Sequence, residues 1–179
     1  MGYSYKKLYE KSAAFYMARP KAKKGLLLFD KLLTAGFGAA YLTLWIYGAF
    51  WGNFSVNDFI RITFIPLSTL FLVSILRIMF ARPRPYSAKG SGIIPLKKRS
   101  GHEEDSFPSR HLACAAAITA CFLPVLPLVG GGMLALCIAL GYIRFALGFH
   151  YPSDLLAGGA LGCLVTCFYY FLEYIFSIL

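Results

Sequence analysis

Five long apolar runs, at 27–50, 59–80, 108–126, 131–149 and 155–179, constrain the fold of this chain more than any other feature. A helix rises 1.5 Å per residue and a bilayer core is about 30 Å thick, so a run of about 20 residues spans it. Inside hydrocarbon the backbone must satisfy its own N–H and C=O groups, which makes each run a helix. The fold class expected is therefore all-α, a polytopic membrane helix bundle of about five transmembrane helices. With 58% hydrophobic and only 15% charged residues, the chain has too little polar surface to cover a water-soluble globule.

The breaks between runs carry the remaining organisation. Pro124, Pro127 and Gly130 to Gly132 read as a turn at one membrane surface, with helices long enough to span on both sides. The first 25 residues mix Tyr3, Tyr5, Leu8, Tyr9, Phe15 and Tyr16 with Lys6, Lys7, Lys11 and Lys21, the pattern of an amino-terminal interfacial amphipathic helix that Pro20 ends. They lack the apolar core and cleavage site of a secretory signal, so this terminus is expected to stay attached. One long polar segment, Arg82 to Phe107, holds Lys97, Lys98, Arg99, His102, Glu103, Glu104 and Asp105. With no internal repeat, residues 1–179 form one membrane-embedded domain with its motif-bearing core at 77–158.

A formal charge of +10 suits an anionic partner, and in a membrane protein that means anionic membrane lipids or a phosphorylated substrate rather than nucleic acid. Cys114, Cys121, Cys137, Cys163 and Cys167 all fall in apolar runs without CxxC spacing and read as packing residues, not disulfides or metal ligands. If the spans alternate, the amino terminus, the 82–107 segment and the 150–154 turn share one side. Every Lys and Arg except Arg61 then lies on that side.

Ionisable residues at the ends of apolar spans are costly, so their clustering is a functional-site hypothesis. Arg77 and Arg84 leave the second run, Ser109, Arg110 and His111 open the third, and Arg144, His150 and Asp154 join the fourth to the fifth. Each alone has an ordinary reading: an anchoring arginine, which is how Arg82 between them also reads, a helix start, or a first-turn carboxylate. Together, in order, on one face, they match the needs of phosphoryl transfer. Arg77, Arg84 and Arg144 supply guanidinium donors to phosphate oxygens. Pro108 suits a first helical turn, so Ser109 and the following N–H groups form an anion-binding helix terminus. His150 serves as nucleophile with Asp154 on its other nitrogen, and His111 as acid for the leaving oxygen. The arginines provide the electrostatics, so no metal and no cofactor is expected.

These blocks, including Gly148-Phe149-His150-Tyr151-Pro152-Ser153-Asp154, resemble the signature of the type 2 phosphatidic acid phosphatase (PAP2) family over about residues 77 to 158. The resemblance implies a helical core that holds phosphate between three motifs. Its phosphate ligands are Arg77, Arg84, Ser109 and Arg144, its acid is His111, and its nucleophile and orienting acid are His150 and Asp154. Three positions depart from the pattern: Arg77 replaces the usual Lys, Ile143 replaces Ser, and Arg110 stands where Gly is common. Arg110 adds a guanidinium for a second phosphate or an anionic headgroup.

The function expected is a membrane lipid phosphatase, hydrolysing a phosphomonoester or diphosphate of phosphatidate, phosphatidylglycerophosphate or polyprenyl diphosphate class through a phosphohistidine. A lipid phosphotransferase would use the same residues, and a non-catalytic scaffold would have no reason to keep His111, His150 and Asp154 together. His102 and the Lys97-Lys98-Arg99 run read as solvated or headgroup-facing, and Tyr169, Tyr170 and Tyr174 as interfacial. Sidedness divides the arguments. The cationic amino terminus favours a cytoplasmic site, and the resemblance favours an outward-facing site in a bacterial plasma membrane, which is the expectation adopted. Lipid identity and oligomeric state leave no motif.

Overall fold

A computed structural model describes residues 2–52, 54–97 and 104–178 of the chain, and all its regular structure is helical. Six helices follow in order: α1 (Gly2–Met17), α2 (Pro20–Phe50), α3 (Val56–Phe80), α4 (Arg110–Phe122), α5 (Pro127–Ala146) and α6 (Pro152–Ile178). Among them α2, α3, α5 and α6 are long and apolar enough to cross a membrane. Large side chains such as Leu42, Phe71, Ile78, Leu128, Leu156 and Phe171 point outward from them, as lipid-facing residues do. The chain is a multi-pass membrane protein.

The third expected run gives a shorter helix. Its 13 residues rise about 20 Å, less than a bilayer core. It starts at the motif-bearing end of the bundle and is walled by α3, α5 and α6. Small residues make this central position possible. A methyl group added at Gly158 of α6 would lie 2.5 Å from the Ser109 carbonyl oxygen, and one at Gly162 would strike the carbonyl of Ala113. The two backbones therefore approach as only glycine on one side and Ala113, Ala116 and Ala117 on the other permit.

Several boundaries shift from expectation for local reasons. Pro108 lies two residues before α4, with Ser109 as the N-cap, rather than inside the first turn. The turn between α4 and α5 falls at residues 123–126, not at 127–131, because Pro127 takes the first helical position, where its missing N–H costs nothing. Pro20 likewise starts α2, well before residue 27, so the helix projects beyond the apolar run and carries Lys21, Lys23 and Lys24. Ser55 and Asp58 cap α3 reciprocally, at 3.2 and 2.9 Å. Ala81, in the left-handed region at φ 39°, stops α3 and turns the chain toward Arg82 and Arg84.

Helix α1 turns part of its aromatic face inward. Tyr5, Tyr9 and Ala13 are buried, with the Tyr5 ring centroid 4.8 Å from Tyr151 and 5.9 Å from Phe145. The Tyr9 hydroxyl donates to the Ile94 carbonyl at 2.9 Å, while Leu8 and Phe15 stay exposed. At the far end of the bundle Arg61 holds Glu173 through Nε at 2.8 Å and Asp58 at 3.1 Å, tying α3 to α6. The three motif blocks converge at the opposite end.

Candidate active site

His150 lies in the turn between α5 and α6, which Gly148 makes possible by taking φ +78° beneath the Tyr9 ring. The imidazole is fully buried. Its Nδ1 lies 2.8 Å from the Ser106 carbonyl oxygen, an acceptor, so Nδ1 carries the proton. Nε2 then presents a lone pair, and this buried atom has no hydrogen-bond partner among the described residues. Burial pushes the His150 pKa down to about 4, opposed by Asp154 and reinforced by the guanidinium groups of Arg84 and Arg77. The ring is neutral at physiological pH.

Asp154 is placed differently from the direct imidazole contact that the sequence suggests. Its Oδ2 is 3.8 Å from Nδ1, beyond hydrogen-bonding distance. That oxygen instead accepts from the Ser106 hydroxyl at 2.5 Å and the Tyr151 N–H at 2.9 Å. Ser106 thus stands between the two, its hydroxyl on the carboxylate and its carbonyl on the histidine. The other carboxylate oxygen, Oδ1, accepts from Arg82 at 2.6 Å, and Arg82 also reaches the Ser153 hydroxyl at 2.9 Å and lies 4.3 Å above the Tyr151 ring.

The expected phosphate ligands fall into two groups. Arg77 and Arg84 are both buried and both donate to the Asp105 carbonyl, Arg84 at 3.1 Å. Arg77 also donates to Pro108 O at 3.1 Å and Arg84 to Phe149 O at 2.8 Å, so the two guanidinium groups cross-link all three motif blocks around His150. The Ser109 N–H donates to the Asp154 carbonyl at 2.9 Å, and its buried hydroxyl has no partner among the described residues. Arg144 is held from α2 instead, with Nε 3.0 Å from an Asp30 carboxylate oxygen and Nη2 donating to the Thr34 hydroxyl at 2.7 Å. The Asp30 contact is an ion pair at hydrogen-bond distance without hydrogen-bond alignment.

Two cavities with shared lining residues lie on the Arg144 side of this site. One, of about 340 Å³, is lined by Asp30, Lys31, Thr34, Lys97, His111, Arg144 and Phe149. The other, of about 250 Å³, shares Thr34 and His111 and is otherwise mostly apolar, with Phe37, Leu70, Ile118 and Leu140. Arg110 lines this second cavity rather than the first. His102, Glu103, Lys98 and Arg99 lie outside the described residues.

Ser106, Asp30 and Thr34 went unread in the sequence, and Arg82 was read only as an anchor. Two signals existed. Asp30 is an acid in an apolar run and needs a partner, and Arg82 sits between two motif arginines. Ser106 has no such signal, because its role depends on a carbonyl. Replacing Arg82 with Gln is expected to lower turnover about tenfold to a hundredfold, since Asp154 loses a charged partner and the geometry it fixes. Turnover and thermal melting of the purified variant check this. Unchanged turnover would leave Arg82 as the membrane anchor that the sequence suggests.

Comparison with known proteins adds the lineage. Lipid A 1-phosphatases of Rhizobium johnstonii and Rhizobium etli are each 36% identical to this chain over 92 residues, 51% of its length. That stretch covers only 38% and 40% of those relatives. In fold the chain is similar to Aquifex aeolicus LpxE, with a TM-score of 0.64 at 19% identity over 91% of this chain and 92% of that one. It is equally similar to a PAP2-type phosphatidylglycerolphosphate phosphatase from Bacillus subtilis, with a TM-score of 0.65 at 18% identity over 96% and 85%. The PAP2 superfamily pattern matches residues 58–176, from the first turn of α3 almost to the end of α6 and through all three motif blocks, and the chain belongs to that superfamily.

Proposed function

We propose that this protein is a lipid phosphate phosphatase in which His150 Nε2 takes the phosphoryl group from the substrate and passes it to water. The observation that carries the reading is the neutral, buried His150, its proton fixed on Nδ1 by Ser106 and its Nε2 without a partner among the described residues. A nucleophile so placed needs no deprotonation before attack.

Arg77, Arg84, Arg144 and the Ser109 hydroxyl take the phosphate oxygens. The Nε2 lone pair forms the P–N bond as the P–O bond to the lipid breaks, and His111 gives a proton to the departing oxygen. Water then attacks phosphorus, gives a proton back to His111, and the P–N electron pair returns to Nε2. The proton stays on Nδ1 throughout, donated to the Ser106 carbonyl, with Asp154 and Arg82 behind it.

A lipid substrate is favoured by the paired cavities, because a polar pocket beside Arg144 and an apolar cleft lie on either side of Thr34 and His111, which line both. A soluble phosphate ester would have no use for the second. The names of the Rhizobium relatives add a phosphorylated glycolipid to phosphatidate, phosphatidylglycerophosphate and polyprenyl diphosphate as substrate classes. The test is release of inorganic phosphate from these lipids by purified protein in detergent, with no added acceptor. Chelator is expected to leave the rate nearly unchanged, because guanidinium groups stand around His150 and no three His, Cys, Asp or Glu residues group as ligands among the described residues. A strict requirement for magnesium or zinc would contradict the mechanism, and no release from any of the four classes would contradict the function.

We place the site on the outer face of the plasma membrane. Lys89 is exposed in the loop after α3, at the motif-bearing end. Cysteine at this position, in a background without the native cysteines, is expected to react with an impermeant thiol reagent in intact cells. Reaction only after permeabilisation would put the site in the cytoplasm.

A further inference from the structure

The site contains one acid that the mechanism above does not use. Asp30 is buried in α2, in the middle of a cluster that otherwise collects positive charge: Arg144 and Lys97 line the same cavity, with Lys31 next to it in sequence. It lies 3.0 Å from Arg144 Nε, while Thr34, one helical turn further, accepts from Nη2 at 2.7 Å. Thr34 is itself fixed, since its hydroxyl donates to the Asp30 carbonyl at 2.8 Å. The carboxylate charge therefore lies against the Nε edge of the guanidinium, and the Thr34 hydroxyl fixes Nη2 beside it. Both precede residue 58, where the superfamily match begins, so this support is supplied from outside the matched region.

We propose that Asp30 is a positioning residue for Arg144, orienting its guanidinium and offsetting its charge so that phosphate binds without being retained. The charge argument follows from Coulomb's law. Phosphate arriving at Arg144 meets the carboxylate on the other edge of the same guanidinium, and in a buried site that repulsion is weakly screened. Without Asp30 the pocket would gain one net positive charge and hold the product more tightly. The orientation argument is separate, because a guanidinium displaced by about 1 Å loses its aim at the reacting phosphate, and such errors cost up to about a hundredfold in rate. The role in turnover rests on the function proposed above, but the effect on phosphate affinity does not.

Asp30→Asn and Thr34→Val separate the two effects, because only the first changes charge. Equilibrium binding of inorganic phosphate to the full chain in detergent is measured first, and then kcat and KM on a hydrolysed lipid phosphate. Asp30→Asn is expected to bind phosphate about tenfold more tightly while kcat falls about tenfold or more. Thr34→Val should lower kcat in the same direction without tightening phosphate. A merely structural role would lower melting temperature and leave both constants of the folded protein unchanged. Asp30→Asn with phosphate affinity equal to or weaker than the parent would overturn the charge offset. If that variant does not fold, Thr34→Val with parental kcat would overturn the orienting role. A parent protein that hydrolyses none of the lipids, with Asp30→Asn still binding phosphate more tightly, would defeat the phosphatase reading and leave this inference standing.

Discussion

His150→Ala is expected to reduce phosphate release by about 10⁴-fold or more, because it removes the atom on which the proposed covalent intermediate forms. The fold should survive the change. His150 makes one hydrogen bond, to the Ser106 carbonyl, and losing it costs about 1–3 kcal/mol for the buried acceptor left behind. Arg77 and Arg84 still cross-link the motif blocks through backbone carbonyls that the variant keeps. Reactions with lipid carrying labelled phosphate, quenched in alkaline detergent, should show protein-bound phosphate in the parent that is stable to base and released by acid, and none in the variant. Substantial turnover by the variant would end the phosphohistidine mechanism. The neutral state of His150 adds a pH test. An ordinary histidine is protonated below about 6.5, but burial holds this one neutral until about 4. The acid limb of kcat/KM that His150 sets should therefore lie well below 6.5.

His111→Ala is expected to slow hydrolysis of a lipid phosphate by about 10²- to 10⁴-fold, the range for losing a positioned acid. The size of the loss depends on the leaving group. An alkoxide needs a proton as it departs, and an activated aryloxide does not. An aryl phosphate should therefore be cleaved by the variant at a rate much closer to that of the parent. Measuring both substrates with both proteins gives the ratio that matters. Equal losses on the two would show that His111 contributes binding or packing, with no proton transfer. His111 lines both cavities, so its position suits an acid at the boundary between phosphate and lipid chain.

Residue type and order made most of this site legible. That His150, Asp154, Arg77 and Arg84 come together was readable because the apolar runs bring their ends to one end of the bundle. What could not be read depends on backbone atoms. The Ser106 carbonyl that fixes the tautomer, and the Asp105 carbonyl shared by two arginines, belong to a loop whose path no periodicity encodes. The same blindness hid the pairing of Arg82 with Asp154, because its charge alone fits an anchor as well as a partner. In the fold, the five apolar runs showed where helices lie and overstated the third. Its length was counted from hydropathy, whereas Ser109 at the N-cap and the turn after Phe122 set its ends. Helix α1 was legible as amphipathic, but not that Tyr5 and Tyr9 would meet protein, since an aromatic face suits a neighbouring helix as well as a headgroup layer.

The short central helix bears on how the protein meets membranes of different thickness. Hydrophobic mismatch acts on surfaces that touch lipid, and outer helices answer it by tilting or by drawing the bilayer to them. Helix α4 is held between α3, α5 and α6, and its register with α6 is fixed where Gly158 and Gly162 meet its carbonyls. Ser109 opens α4, Asp154 lies in the first turn of α6, and their backbones are joined at 2.9 Å. A thicker or thinner bilayer can therefore rearrange α2 and the outer face of α3 while the pair that carries Ser109 and Asp154 keeps its spacing, leaving the carboxylate and the start of α4 indifferent to acyl-chain length.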